Sequence, residues 1–295
     1  MSNQSGLLNI NKPPDMTSHA VVEVIRQETG LKRVGHTGTL DPFAVGVLII
    51  CLNRATRLAE YIKNERKTYN AKIRLGAVTN TYDRTGIKKI IKVKRKPTLE
   101  ELKKVLRNFI GPQKQLPPIY SARKVKGKKL YEYARLGEEA EPKPAKIIIF
   151  DIKLLEYKYP YLRLKVACSA GTYIRSLGYD IGMKLKTGAY VASLVRTRVG
   201  NFVIKDSIPL REINKENWTK LLLPSYLAVE SLLQVTLDSV QIDQLKRGLA
   251  VTWKQPFSKE EQKKDIACLT EEKEVAAIAQ YDPDTEELMP KKVLV

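Results

Sequence analysis

The stretch GHTGTLDPFAVG, residues 35–46, decides how this chain is read. It sets one acid, Asp41, among residues that add little to a core: His36, Thr37, Thr39 and three glycines. Pro42 fixes φ directly after the acid and removes a backbone donor. The apolar run VLIICL, residues 47–52, follows and suits a buried strand or the start of a buried helix. A carboxylate on a stiff loop beside a buried element is well placed for chemistry. The same composition also suits a turn in which Asp41 caps a helix.

The bulk properties narrow the partner more than the reaction. At 295 residues with 43% hydrophobic content, the chain can bury one large domain and a small one. A formal net charge of +20 favours a polyanionic partner, nucleic acid before an anionic membrane surface. Cys51, Cys168 and Cys268 form no CxxC pair, and His19 and His36 are the two imidazoles, so no metal site is expected. The polar start MSNQSG runs straight into LLNI with neither a signal peptide nor a membrane span, which places the protein in the cytoplasm. A P-loop and a dinucleotide fingerprint are both missing, so no cofactor is expected.

Working outward, residues 6–12 read as a strand entering a Pro13-Pro14-Asp15 turn. Thr17 or Ser18 can cap a helix carrying Val21, Val24 and Ile25, with Gly30 as its stop. Leu58, Ala59 and Ile62 suggest a further helix before Lys67. Residues 69–75 alternate, with Tyr69, Ala71, Ile73 and Leu75 on one face, so Tyr69 points inward. The basic segment 87–96 looks β-like. Thr98 and Glu101 form a capping box that opens a helix with Leu102, Val105, Leu106 and Phe109 on one face. Between residues 117 and 135, lysines and arginines interleave with tyrosines, a mixture that neutralises phosphates and stacks on bases. Segments 147–155 and 161–168 read as a hairpin, followed by a helix through Ile174, Leu177, Ile181 and Leu185. Arg175 falls in that helix's first turn, where a cation opposes the helix dipole, which points either to a partner elsewhere in the fold or to a plain surface salt bridge. Residues 188–199 are β-rich, residues 209–220 are a polar connector, and the remainder alternates β runs around a DPDTEE turn.

Five strings carry a family resemblance. GHTGTLDPFAVGVL resembles the catalytic loop of the TruB family of tRNA pseudouridine synthases, GHTGxLDPxAxGxL. NKPPDMTS is similar to that family's KPxGxTS motif, with Asp15 in place of the glycine. KTYNAKIRLGAVTNTYD resembles its KxYxxxxxLGxxTxTxD, and CSAGTYIRSLGYDIG its CSxGTYIRxLxxDxG. GAYVASLVRTRVG is similar to its G(A/C)xxxxLxRxxxG.

The resemblance implies an α+β fold: a mixed, mainly antiparallel sheet flanked by helices, followed by a small PUA-like β barrel. It implies a catalytic domain over residues 1–227, with an RNA-clamping thumb insertion at about 118–146, and an RNA-binding domain over residues 228–295. The implied reaction converts uridine to pseudouridine at position 55 of the tRNA T loop, after the base is flipped out of its stack. Asp41 would act on the ribose, as a nucleophile at C1′ or as a base at the 2′ carbon. Tyr69 would stack on the uracil, and Arg175 would pair with Asp41. His36, Tyr173, Leu194 and Lys12 would complete the substrate site, with Lys124, Lys126, Lys128 and Lys129 in the thumb. Lys12 could equally be structural, Leu194 and Tyr69 could be core, the thumb lysines could be a solvated charged loop, and His36 could be a hydrogen-bonded loop residue. The expected partner is the tRNA T stem-loop, bound by a monomer with no protein partner and no membrane. Two other readings stay open: a guide-RNA-dependent synthase of the same superfamily and a non-catalytic tRNA-binding chaperone.

Overall fold

The computed structural model describes residues 4–121, 123–125, 127–138, 142–255 and 257–295. Lys126 of the expected thumb lies outside the described residues, as does the side chain of Lys124. Among the described residues, ten strands form one sheet, eight of them along the path Ile208–Pro209, Gly6–Lys12, Val45–Leu52, Ala189–Val199, Lys67–Leu75, Tyr161–Cys168, Ala145–Lys158, Gly111–Gln115, with Phe202–Val203 paired to Ala189–Val199 and Val34–His36 paired to Val45–Leu52 off that path. The pairings are mainly antiparallel; Gly6–Lys12 with Ile208–Pro209 and Ala189–Val199 with Val45–Leu52 are parallel.

Local chemistry explains these elements. The apolar run after the Asp41 loop is a strand, packed on both faces: Leu48 and Ile50 join one core, Val47 and Ile49 another. Helix Ser18–Thr29 starts at Thr17, whose hydroxyl accepts from the Ala20 N–H, and stops at Gly30 in the left-handed conformation. The Thr98–Glu101 capping box forms and opens helix Leu99–Arg107. Asp15 has φ +59°, so the position where the family motif has glycine keeps a left-handed backbone that aspartate tolerates.

The structure departs from expectation in three places. Segment 87–96 gives only the short strand Lys88–Ile90, exposed along its length, because its one partner is the three-residue strand Ala77–Thr79. The polar connector carries Trp218 into the core beside Leu210 and Ile213, on single 3-10 turns that leave no helical period to detect. The helix before Lys67 begins as a 3-10 turn, Asn53–Leu58, and becomes α-helical only over Ala59–Asn64.

Residues 233–293 form a second, five-stranded half-barrel, consistent with a PUA-like domain. Its Ala267, Leu269, Val275 and Ile278 pack with Leu7, Val47 and Ile49 of the main sheet, so the two sheets share one core cluster. Among the described residues, no helix is long and apolar enough to cross a membrane.

Candidate active site

The Asp41 loop is held by three buried anchors, each from a different element. Ser18 Oγ donates to the Leu40 carbonyl at 3.2 Å and accepts from the Leu40 N–H at 2.8 Å. Lys12 Nζ donates to the carbonyls of Met16 at 2.6 Å, Pro13 at 2.8 Å and Pro42 at 3.0 Å. Arg196 donates from Nε to the Val47 carbonyl at 2.7 Å, from Nη2 to Gly38 at 3.0 Å and from Nη1 to Thr39 at 3.4 Å. Leu40, Phe43 and Ala44 on either side of the acid are buried, and the Ala44 N–H closes a turn on the Asp41 carbonyl at 3.0 Å. The loop is therefore pinned by its backbone, while the Asp41 side chain keeps 29% of its surface exposed.

Arg175 reaches this acid from helix Ile174–Lys184. Its Nη2 donates to Asp41 Oδ1 at 2.7 Å and to the Tyr120 carbonyl at 3.0 Å. Its Nη1 donates to the Thr81 carbonyl at 3.1 Å and lies 3.4 Å from Asp83 Oδ2. The arginine and Asp83 side chains are each 4% exposed. This cluster answers why a cation sits in a helix's first turn: two carboxylates and two carbonyls supply more than the dipole takes away. Burial pushes the Asp41 carboxyl above the usual carboxylate range, and the nearby Asp83 adds to that; the Arg175 guanidinium opposes both.

Asp83 was not among the expected site residues, although it is the last position of the string KTYNAKIRLGAVTNTYD. Its Oδ1 accepts from Thr85 Oγ1 at 2.6 Å, Thr81 Oγ1 at 2.8 Å and the Thr85 N–H at 2.9 Å, which leaves Oδ2 for the arginine. Arg196 was missed as well. Its only sequence signal was its place as the arginine of the GAYVASLVRTRVG string.

Tyr69 and Leu194 lie in one core cluster with Leu40, Phe43 and Ile174. Tyr69 pairs across strands with Arg196. Burial raises the Tyr69 phenol above its ordinary range, and Arg196 pulls it back only in part, so at neutral pH Tyr69 is a neutral phenol. His36, half-buried on the strand Val34–His36, has its pKa lowered by burial and then by Arg196. Its Nδ1 has no hydrogen-bond partner. Tyr173 caps the helix that carries Arg175: its N–H donates to Gln115 Oε1 at 2.8 Å, and its carbonyl accepts from Gln115 Nε2 at 3.0 Å.

The RNA-facing reading of Lys12 is corrected here. The side chain is fully buried, and its three N–H groups are spent on three carbonyls, one of them next to Asp41. Burial lowers its pKa to about 8, against the pull of Asp15 and Asp41. The lysine positions the loop and reaches no solvent.

The expected thumb is more ordered than a charged loop. Lys124–Val125 pairs with Lys128–Lys129, and helix Leu130–Leu136 follows with Leu130 buried. Lys128 pairs with Glu138 at 2.7 Å and lies 4.7 Å from the Tyr133 ring centroid. Lys129 lies 5.5 Å from the Tyr131 ring centroid. The base of this segment is fastened to the site through the Tyr120 carbonyl on Arg175 and the Leu116 carbonyl on Ser176 Oγ.

The chain matches two family models. Residues 26–174 match the TruB family pseudouridylate synthase N terminal domain, and residues 175–234 match the tRNA pseudouridylate synthase B C-terminal domain. A tRNA pseudouridine synthase B of Clostridium tetani is 44% identical over 257 residues, covering 86% of this chain and 88% of that protein. One of Caldanaerobacter subterraneus subsp. tengcongensis is 50% identical over 213 residues, covering 71% and 74%. Among solved structures, the crystal structure of a Cbf5-Nop10-Gar1 complex is similar with a TM-score of 0.74 and 25% identity, covering 98% of this chain and 85% of that one.

Proposed function

This chain belongs to the TruB family of pseudouridylate synthases, and from that premise we propose that Asp41, steadied by Arg175, acts on the ribose of a tRNA uridine lifted out of its stack. The protein is an isomerase that converts uridine to pseudouridine in tRNA. The proposal extends this, on the motif resemblance, to the uridine at position 55 of the T loop. The reaction breaks N1–C1′ and forms C5–C1′, while the C5 proton leaves and N1 takes up a proton. The balance needs no oxidant and no second substrate.

The observation that carries the reading is the 2.7 Å contact between Arg175 and an Asp41 carboxylate that still faces solvent. Burial raises the carboxyl; the guanidinium opposes that shift, favours the charged form and aims it. Tyr69, neutral and at the floor of the same cluster, offers the uracil a ring face rather than a phenolate. His36, neutral and with Nδ1 unpaired, suits the gap left by the flipped base. The ordered Lys128 and Lys129 segment supports a clamp on the T stem-loop backbone.

The division into a catalytic domain over residues 1–227 and an RNA-binding domain over residues 228–295 is part of the same proposal. So are action as a monomer without a protein partner and a cytoplasmic location. The test is incubation of the purified chain alone with an unmodified tRNA transcript, followed by carbodiimide mapping. Pseudouridine at position 55 without guide RNA or added protein is expected; modification only with a guide RNA would overturn the reading.

A further inference from the structure

At its middle strands the large sheet is covered on one face only. Tyr69, Ala71, Ile73 and Leu75 point into the core beneath helices Ile174–Lys184 and Leu99–Arg107. The alternate side chains of Lys67–Leu75 point the other way, and Lys72 there is exposed. Register sets cations directly opposite one another on this open face. Lys153 faces Lys165, Arg163 faces Lys72, and Tyr161 lies between Lys158 and Arg74 on its two neighbouring strands. Among the described residues, Glu156 is the acid in these rows, 3.7 Å from Arg163.

Like charges placed directly opposite on adjacent strands destabilise a sheet. Two such pairs stand here side by side, with Glu156 in these rows and Asp151 one row beyond Lys153 on the same face, so cations still outnumber carboxylates. Arg74 Nη1 adds a buried donor without a hydrogen-bond partner, its guanidinium 5.9 Å from the Tyr190 ring centroid. A groove of about 680 Å³ crosses the same face, lined by Lys72, Lys158, Arg163, Tyr159 and Tyr161. Tyr161 is 37% exposed, with the Lys72 ammonium 4.4 Å from its ring centroid.

We propose that this open face is a second RNA site, one that takes a single-stranded RNA segment on the side of the sheet away from Asp41. Phosphates would neutralise the opposed cations, and a base would stack on Tyr161. The tyrosines favour RNA over an anionic membrane, because the groove offers Leu155 as its one exposed large aliphatic group. The sheet itself separates the two sites, so both can be filled at once. The inference rests on register and charge and does not depend on the isomerase reading.

The test saturates the cleft of the full chain with an unlabelled T-arm hairpin, then titrates a labelled single-stranded RNA of about 12 nucleotides across a salt series. One further RNA per chain is expected. The double variant Lys72→Glu, Arg163→Glu should weaken it at least tenfold and flatten its salt dependence by about 1 to 2 contacts. Tyr161→Ala should weaken it about tenfold with the salt slope unchanged. Lys165→Glu supplies an independent charge reversal should the double variant fail to fold. Turnover of the hairpin should stay at the wild-type rate in all of them. The proposal is overturned if the oligonucleotide only competes with the hairpin or if the variants bind as the wild type does. It is also overturned if phosphatidylserine vesicles bind this face and the RNA does not.

Discussion

Replacing Arg175 with Met tests the electrostatics of the site most searchingly. Methionine keeps much of the stem and removes the charge. Asp41, at 2.7 Å, and Asp83, at 3.4 Å, then lose the cation they share, and two carbonyls lose their donor. Removing one partner of a buried pair costs about 3–5 kcal/mol. Asp41 retains 29% of its side-chain exposure, so water screens part of its share, which places the expected loss near the lower end, about 3 kcal/mol. The pH dependence follows from the direction of the shift. The Asp41 pKa, already raised by burial, rises further once its opposing cation is gone. An acid whose folded pKa exceeds its unfolded value penalises the fold above the unfolded value, and the penalty fades once the pH falls below it. The stability deficit should therefore be largest at neutral pH and smaller in acid. Urea unfolding at several pH values measures this, and pseudouridine formation across the same range should show its acid limb displaced to higher pH. A deficit below about 1 kcal/mol that does not vary with pH, with the limb unmoved, would refute the reasoning.

Further outcomes follow from the same geometry. Asp83→Asn removes the like charge that helps to raise Asp41, so its acid limb should move to lower pH while the rate falls; a pH–rate profile reads both. Gly46→Ala puts a side chain at φ +105°, where its Cβ would collide with the Arg196 carbonyl and break the parallel pairing there; a loss of at least about 2 kcal/mol in urea unfolding is expected. Lys128→Ala with Lys129→Ala should weaken tRNA binding about tenfold and reduce its salt slope by about 1 to 2, seen by filter binding at several ionic strengths.

The parts of the fold that could be read from sequence are those where local and tertiary preferences agree. Strand Tyr161–Cys168 alternates strictly because one face is core and the other solvent, and its bounds match the expected segment. The capping box at Thr98 and the glycine stop at Gly30 are set by side chains within one turn. Trp218 was hidden because its neighbours are polar and its 3-10 turns carry no amphipathic period. In the candidate site, Asp41, Tyr69 and Arg175 were legible because each sits in a dense string of fixed residue types. Lys12 read as a possible RNA contact because sequence shows a charge but not the three carbonyls that enclose it. Asp83 and Arg196 were overlooked for a related reason. Asp83 meets Arg175 on a helix distant in sequence, and Arg196 holds carbonyls more than a hundred residues away.

The central claim is that one carboxylate performs the chemistry while the rest of the protein binds and positions the nucleotide. Single-turnover pseudouridine formation by Asp41→Asn, with tRNA affinity measured on the same preparation, tests it most directly. The account predicts that product formation falls by about 10⁴-fold or more while affinity changes less than about threefold. Product at the wild-type rate would contradict it.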